Sequence, residues 1–362
     1  MKLKQKIETS CIILLSVLLV LNIVNLGLTL RYQNEMVVAQ GEGYIKWVEF
    51  DIPYTALEKA LNIDINTHKD DKDGISWVTI LSCLGAKYGG NWKQYRARDM
   101  DKIVAGLQDG KTPEELLDFS KYLSYYEEAY TAVLGGFVGK YEKEVPDKEH
   151  EGQKLIEPRY GLKVYSPIAE GFGYSHYDDF GNSRTYGYRR QHLGNDLIGS
   201  VGTPIVAIEG GTVEVMGWNQ YGGWRIGIRS FDGKRSYYYA HLRKNNPYHA
   251  NLEVGKTVRA GDVIGYLGMT GYSTKENVNN MSTPHLHVGM QLVFDESQKE
   301  GTNQIWINMY HIVELLSRNK ATVQKDELTK QYDRVYNIYD PLYPPEMRSP
   351  KGGNATNHMQ SS

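Results

Sequence analysis

Two short motifs, HLGND at residues 192–196 and PHLHV at residues 284–288, constrain this chain more than any other feature. Side chains two positions apart on a β-strand point to the same face. The spacing of His285 and His287 therefore predicts two imidazoles a few ångströms apart on one side of a strand.

The first motif supplies two further side chains of the same chemical kind. His192 and Asp196 would also align on a helix, but Gly194 and the GSVGTP segment that follows favour a strand end or loop. Zinc binds neutral imidazole nitrogen and carboxylate oxygen, and a hydrolytic zinc site uses three protein ligands and leaves one position for water. The two motifs therefore predict a metal site in which three of the four side chains are ligands and one stays free.

The amino-terminal 40 residues indicate a membrane segment. Residues 11–30 carry no charge, and a helix of that length spans about 30 Å, the thickness of a bilayer's hydrocarbon core. Lysines precede this run, so residues 1–10 are predicted to be cytoplasmic and the rest extracytoplasmic. We predict an uncleaved single-pass anchor in the cell membrane, with secretion after signal cleavage near residues 37–39 as the alternative.

Charge and cysteine content narrow the possible functions. With 41 basic and 43 acidic side chains the net charge is −2, which gives no reason to expect a nucleic-acid partner. The part beyond the predicted anchor contains one cysteine, Cys83, so it can form no internal disulfide. Apolar burial or the metal must stabilise it.

Residues 32–141 are predicted to form a helical domain. The clearest helix begins at a threonine–proline–glutamate capping box at residues 112–115 and continues to the glycines at 135–136. Two further helices are predicted at residues 51–63 and 75–88. Residues 142–157 are charged and lack an apolar face, which predicts a linker.

Residues 158–295 change to short β-like runs separated by glycine. FDGK at residues 231–234 is typical of a tight hairpin turn, and strands at this spacing predict a mainly antiparallel β domain. Residues 296–345 are predicted to be a helical extension, amphipathic at 307–318, and residues 346–362 a disordered tail. The predicted fold class is thus a multidomain α+β protein.

Five motifs in the β-like region occur in a recognisable order: HLGND, TPIVAIEGGTV, YYYAHL, VRAGDVIGYLG and STPHLHVGMQ. Together they resemble the lysostaphin-like, LytM-type zinc metallopeptidases of bacterial cell walls, over about residues 165–294. The resemblance implies a mainly antiparallel, barrel-sandwich-hybrid-like core with one zinc ion in a groove. It also implies hydrolysis of peptide bonds in peptidoglycan stems or cross-bridges.

By position, the resemblance implies that the zinc ligands are His192, Asp196 and His287. It implies that His285 and His241 are catalytic histidines that do not bind the metal. Zinc lowers the pKa of a bound water towards 7, and a nearby imidazole can take up the proton.

The two unligated histidines are expected to have different roles. His285 lies beside the ligand His287 and suits proton transfer, whereas His241, in YYYAHL, suits stabilisation of an oxyanion. Weaker candidates for the groove and the oxyanion precede the first motif: Tyr186, Tyr188 and Arg190.

The sequence therefore predicts a membrane-anchored, zinc-dependent endopeptidase that acts on peptidoglycan outside the cell. The alternative is a non-catalytic LytM-like scaffold that binds a partner or regulates another cell-wall hydrolase, although such relatives typically lack a ligand. A lipoyl or biotinyl carrier, suggested by VGKTVRAGDVIGYLG, lacks an attachment lysine at a suitable hairpin tip. The upstream position of the helical domain suggests the hypothesis that it covers the groove.

Overall fold

The computed structural model describes residues 44–69, 73–118 and 120–349. The predicted anchor at residues 11–30 lies outside these ranges, as does the end of the chain from residue 350. Within the described ranges, every helix is too short or too polar to cross a bilayer.

An α-helical region forms the first part of the described chain. Its helices are α1 (Tyr54–Thr67), α2 (Trp77–Tyr88), α3 (Ala97–Gln108), α4 (Pro113–Leu116) and α5 (Leu123–Leu134). The helices predicted at 51–63 and 75–88 correspond to α1 and α2. The predicted capping box is also present, because Thr112 accepts the Glu115 amide while the Glu115 carboxylate accepts the Thr112 amide.

The helix predicted to run unbroken from Thr112 to Gly135 is instead two helices. Asp118 has a φ of 50°, a left-handed conformation that a right-handed helix cannot contain. The chain therefore leaves the helix after Leu116 and re-enters one at Leu123.

The prediction of a charged linker at residues 142–157 is wrong. Strands β1 (Val138–Pro146) and β2 (Lys154–Leu162) pair as an antiparallel hairpin over their whole length. Because both strands are mostly half-buried or exposed, their sequences carry charged side chains and lack the apolar periodicity of a buried strand. The charged side chains of these residues therefore did not prevent strand pairing, which the sequence pattern failed to predict.

The β region is built mainly from one antiparallel sheet. Its path is β11–β8–β9–β10–β13–β6–β3, and β14 also pairs with β13. The strands are β3 (Ser175–His176), β6 (Asn195–Ile198), β8 (Gly211–Asn219), β9 (Gly223–Ser230), β10 (Arg235–Ala240), β11 (Thr257–Val258), β13 (His285–Leu292) and β14 (Ile305–Ile307). The predicted FDGK turn joins β9 to β10, and Gly233 there has a φ of 72°. The prediction of a mainly antiparallel β core preceded by a helical region is confirmed.

Smaller two-stranded pairs complete the β region. They are β7 (Pro204–Val206) with β12 (Val263–Tyr266), β4 (Ser183–Arg184) with β5 (Arg190–Gln191), and β15 (Val323–Lys325) with β16 (Tyr332–Arg334). Strand β17 (Ile338–Tyr339) pairs with β1. The β1–β2 hairpin is thereby attached to the C-terminal part of the chain.

The C-terminal extension is helical over a shorter stretch than predicted. Helix α6 spans Tyr310–Leu316, because Ile305–Ile307 joins the sheet as β14 instead of starting the helix. The prediction of disorder is wrong at the start of the tail, because Pro345–Met347 forms a 3₁₀ turn and Met347 is buried.

The helical and β regions share one hydrophobic core. The side chain of Arg235, fully buried in β10, donates from Nη1 to the carbonyl of Ala132 in α5 at 2.6 Å. The same guanidinium contacts the carboxylates of Glu209 and Asp232, at 2.7 and 2.6 Å. The helical region is therefore packed firmly onto the sheet.

Candidate metal centre

The pairing of two strands brings together two of the three predicted metal ligands. In the β6–β13 ladder Asp196 lies directly opposite His287, and residues opposite each other point to the same face of the sheet. His192 follows β5 in a loop that returns to β6, as predicted from the glycine between the two ligand candidates. The two motifs, far apart in sequence, therefore meet at one edge of the groove.

The three predicted ligand atoms lie close enough to share one metal ion. Nε2 of His192 is 2.8 Å from Nδ1 of His287 and 3.0 Å from Oδ1 of Asp196, and that oxygen is 3.2 Å from Nδ1 of His287. A tetrahedral zinc site with bonds of about 2.0–2.1 Å has edges of roughly 3.3 Å. The donor set and its dimensions fit zinc, and within the described ranges this is the group of ligand-type side chains that could hold a metal.

Hydrogen bonds set the charges of this cluster. Burial alone would lower the pKa of His192, but its bonds to Asp179 and Asp196 raise that pKa to about 9. Burial would raise the pKa of Asp196, yet its contacts with His192 and His287 hold it well below the ordinary value. The Asp196 carboxylate is therefore anionic, as a zinc ligand must be.

Two residues that sequence reasoning missed surround the His192 ring. The Asp179 carbonyl and carboxylate lie 3.1 and 3.2 Å from His192 Nδ1. Arg184 donates to Asp179 at 2.7 Å and to Asp196 at 3.2 Å. A carbonyl or carboxylate at Nδ1 keeps one proton there, so a bound metal would replace the second ring proton on Nε2. Metal-binding histidines generally have a hydrogen-bond acceptor at the other ring nitrogen, but no spacing in the sequence identifies Asp179 as that acceptor.

The structure places His285 and His241 beside the ligands but with their own partners. Nδ1 of His285 lies 2.8 Å from the carbonyl of Thr283, and Nδ1 of His241 lies 2.7 Å from the carbonyl of Thr270. A carbonyl can only accept, so each Nδ1 carries the proton and each Nε2 presents a lone pair. The rings are 4.7 Å apart between centroids.

His241 is held in an unusual backbone conformation. It directly follows β10 and has a φ of 60°, which is uncommon for a residue with a side chain and often occurs at functional sites. Its amide donates to the carbonyl of Gly222 at 2.7 Å. Burial and the neighbouring His285 lower the pKa of His241 well below its ordinary value, so the ring is neutral.

Gly194, in the first motif, lies so close to the second motif that it leaves no room for a side chain. A Cβ atom there would lie 2.6 Å from the His287 ring and 2.6 Å from the carbonyl oxygen of Val288. Any larger residue must displace the ring or the strand. The glycine is therefore required by the close approach of the two ligand-bearing segments.

The centre opens into a groove of about 590 Å³. In the described part of the chain, its lining residues all lie between Arg184 and Trp306. The helical region contributes none of them, so it packs elsewhere on the sheet and does not cover the groove as hypothesised.

Of the weaker sequence candidates, Arg190 lines this groove, whereas Tyr186 and Tyr188 pack against its lining residues. Arg190 donates to the Tyr272 hydroxyl at 3.0 Å and stacks over the Tyr221 ring at 4.7 Å. Tyr186 stacks on Tyr272 with centroids 4.7 Å apart. Tyr188 is 58% exposed and meets Tyr221 edge-on. The three candidates form one aromatic cluster around the Arg190 guanidinium.

Comparison with known proteins finds similarity in the β region. Residues 190–303 match the model of Peptidase family M23. An L-Ala–D-Glu endopeptidase of Bacillus subtilis is 39% identical over 124 residues, which are 34% of this chain and 36% of the relative. A glycyl-glycine endopeptidase of Staphylococcus capitis is 42% identical over 97 residues, 26% of this chain and 23% of the relative. The chain thus spans about a third or less of the length of these relatives.

A solved structure resembles the same region. The catalytic domain of lysostaphin from Staphylococcus simulans is 34% identical, with a TM-score of 0.28, over 36% of this chain and 84% of that domain. His192, Asp196, His241, His285 and His287 all lie within residues 190–303, the part that matches the family model. Residues 190–303 are thus similar to Peptidase family M23 and to lysostaphin-like endopeptidases.

Proposed function

We propose that this protein is a zinc-dependent endopeptidase that hydrolyses peptide bonds of peptidoglycan stems or cross-bridges. The observation that carries the proposal is the convergence of His192, Asp196 and His287 beside two further imidazoles in an open groove. The family match and the endopeptidase relatives support the same reaction class.

In this proposal His192, Asp196 and His287 hold one zinc ion. Bound zinc lowers the pKa of its water towards 7 and polarises the scissile carbonyl. Asp179 keeps the proton of His192 on Nδ1, and Arg184 orients both carboxylates. These contacts fix the ligand atoms before the metal arrives, which lowers the cost of binding.

His285 is proposed as the group that moves the proton. Its Nε2 carries a lone pair and lies 3.8 Å from Oδ1 of Asp196, close to the ligand atoms without being one of them. It can accept the proton of the attacking water at Nε2 and deliver it to the leaving amine. The Thr283 carbonyl stabilises the protonated ring that exists between these two steps.

His241 and the Arg190 cluster are proposed to act on the substrate oxygen. His241 is next to His285, and both its backbone and its Nδ1 are fixed by hydrogen bonds. Binding of the oxyanion needs a donor at Nε2, so this role requires the imidazolium form of His241, with its second proton taken from solvent in the open groove. The negative charge of the oxyanion would offset the burial that disfavours this form. Tyr186 and Arg190 can assist from the neighbouring wall of the groove, whereas the exposed Tyr188 is suited to contact longer substrates.

The cellular setting is proposed from the sequence. The uncharged run at residues 11–30, with lysines before it, would anchor the chain in the cell membrane and place the catalytic domain outside, where peptidoglycan lies. Release after signal cleavage remains the alternative.

The experiment uses the full-length protein purified in detergent and purified bacterial sacculi. We expect about one zinc per chain, release of soluble wall fragments, and loss of release with a chelator that added zinc reverses. His192→Ala should lose both metal and lysis, while His150→Ala, an exposed histidine paired with Asp147 outside the groove, should retain both. Mass spectrometry of the released muropeptides would identify the bond that is cut.

The same experiment distinguishes the scaffold alternative. A scaffold would bind sacculi without releasing fragments even when loaded with zinc. Full lysis by His192→Ala would instead show that the metal assignment is wrong.

A further inference from the structure

A row of residues crosses the groove floor from the metal ligands to an arginine. Asp196 pairs with His287 across β6 and β13, and His287 pairs with Ala240 across β13 and β10. Beyond β10 lies β9, where Ile226 pairs with Tyr239, so Arg225 lies next to Ala240. Neighbouring strands are about 4.8 Å apart, which puts the Arg225 backbone roughly 10 Å from that of His287.

Small residues keep the floor open between the ligands and Arg225. Ala240 separates the two in the row, and Gly227 faces Tyr238 in the next pair of the ladder. All of these residues line the groove. A substrate chain in the groove can therefore contact the metal centre and the Arg225 guanidinium at the same time.

Arg225 differs from the neighbouring arginines in having no acidic partner. Within the described ranges no carboxylate forms an ion pair with it, and its buried Nε has no hydrogen-bond partner. By contrast, Arg229 on the same strand pairs with Glu296 at 2.9 Å, and Arg184 pairs with Asp179 and Asp196. A buried donor without an acceptor is costly unless a ligand supplies one.

Arg190, which lines the same groove, also lacks a carboxylate partner in the described part of the chain and bonds only neutral groups. Arg225 likewise bonds a neutral group, the Tyr238 hydroxyl. Glu214, at the far end of the groove, is already paired with Lys299 at 2.9 Å. Glu300 also lines the groove, but within the described ranges no carboxylate pairs with the guanidinium groups of Arg190 and Arg225.

We propose that Arg225, together with Arg190, makes the groove selective for a peptide that bears a free carboxylate beside the scissile bond. This inference rests on the proposed peptidase function and names the substrate class of the same site. Guanidinium groups bind carboxylates in a bidentate, charge-assisted geometry. A neutral glycine bridge offers no such group, whereas an acidic stem peptide does.

The test compares matched peptides with the zinc-loaded, full-length protein. One probe is a tripeptide of L-alanine, γ-linked D-glutamate and L-lysine with the glutamate α-carboxylate free, and the second has that carboxylate converted to a carboxamide. A third probe is pentaglycine. We expect kcat/KM to favour the free carboxylate about 10- to 100-fold, the range of a hydrogen bond to a charged group.

Variants of Arg225 test whether this residue causes the preference for the free carboxylate. Arg225→Gln should abolish most of the preference, mainly through a higher KM for the carboxylate peptide, and should leave the carboxamide peptide nearly unchanged. Arg225→Lys should restore part of it. Arg189→Gln removes the same charge from an exposed position outside the groove, so it should keep the wild-type preference.

The outcomes separate this inference from the proposed function. If the wild type lyses sacculi but cuts the carboxylate peptide no faster than the carboxamide peptide or pentaglycine, the inference is wrong and the peptidase function stands. Retention of the preference by Arg225→Gln also overturns it. Failure to cut sacculi and every probe would refute the proposed function itself.

Discussion

The Nδ1 atom of His287 lies 3.2 Å from Oδ1 of Asp196, directly across the β6–β13 ladder. A shift of one residue in this register would turn every side chain of one strand to the other face of the sheet. The ligand set therefore depends on strand pairing as much as on residue identity.

His287→Ala and His285→Ala should have different effects although the residues share one strand face. Loss of His287 removes a ligand atom and should abolish zinc binding together with activity. Loss of His285 should leave about one zinc per chain but reduce turnover by about 10²–10⁴-fold, the usual contribution of a general base. Elemental analysis and fragment release, measured on the same samples, check this. Loss of zinc from His285→Ala would make that residue a ligand.

Gly194→Ala should weaken the metal centre without adding or removing a charge. The new Cβ would lie 2.6 Å from the His287 ring and from a strand carbonyl, so the ring or the strand must move. We expect a markedly higher dissociation constant for zinc, measured by competition with a chelating dye. Gly173→Ala is the matched control, because a Cβ there meets nothing within 4 Å. Equal zinc affinity in the two variants would contradict the packing argument.

Asp179→Asn should reduce zinc affinity while leaving all three ligands in place. The substitution removes the negative charge that orients His192 and balances Arg184, and loss of such a partner typically costs 10- to 100-fold in affinity. Asp178→Asn is the matched control, since the Asp178 carboxylate accepts a hydrogen bond from the Asn308 amide outside the groove. An affinity change of the same size in both variants would point to a general charge effect.

Arg235→Met should destabilise the whole described fold. The substitution leaves the Glu209 carboxylate without its buried guanidinium and the Ala132 carbonyl without its donor. Breaking a buried ion pair from one side costs about 3–5 kcal/mol of the free energy of unfolding. Chemical denaturation provides the measurement. Arg159→Met, which removes a half-exposed pair with Glu157, should cost at most about 1 kcal/mol.

The local motifs predicted the metal-binding side chains of the centre but not the residues that hold those side chains in position. His192, Asp196, His285 and His287 could be named because metal ligands are few in kind and strand parity relates residues two apart. Asp179 and Arg184 could not, since their contacts with His192 depend on how a loop folds back over β6. Nothing in the local sequence distinguishes Arg225 from other arginines on strands. Only the order of the strands in the sheet places it in the same row as the ligands.

The same distinction between local and long-range signals applies to the fold. Periodic apolar residues, the Thr112 capping box and the Asp-Gly turn predicted helices and antiparallel strands, because these signals act within a few residues along the chain. The β1–β2 hairpin was mistaken for a linker, and one predicted helix was split at Asp118, because pairing partners and backbone strain are set by distant contacts.

The sequence by itself determined which side chains can bind a metal and which local elements carry them, since residue chemistry and short-range periodicity are written in the chain. The tertiary structure alone decided that a helical region packs against the sheet through Arg235, away from the groove. It also decided that Arg190 and Arg225, which have no acidic partner among the described residues, line the groove of the candidate metal centre. Those relationships depend on the order and register of strands far apart in sequence, which no local pattern specifies.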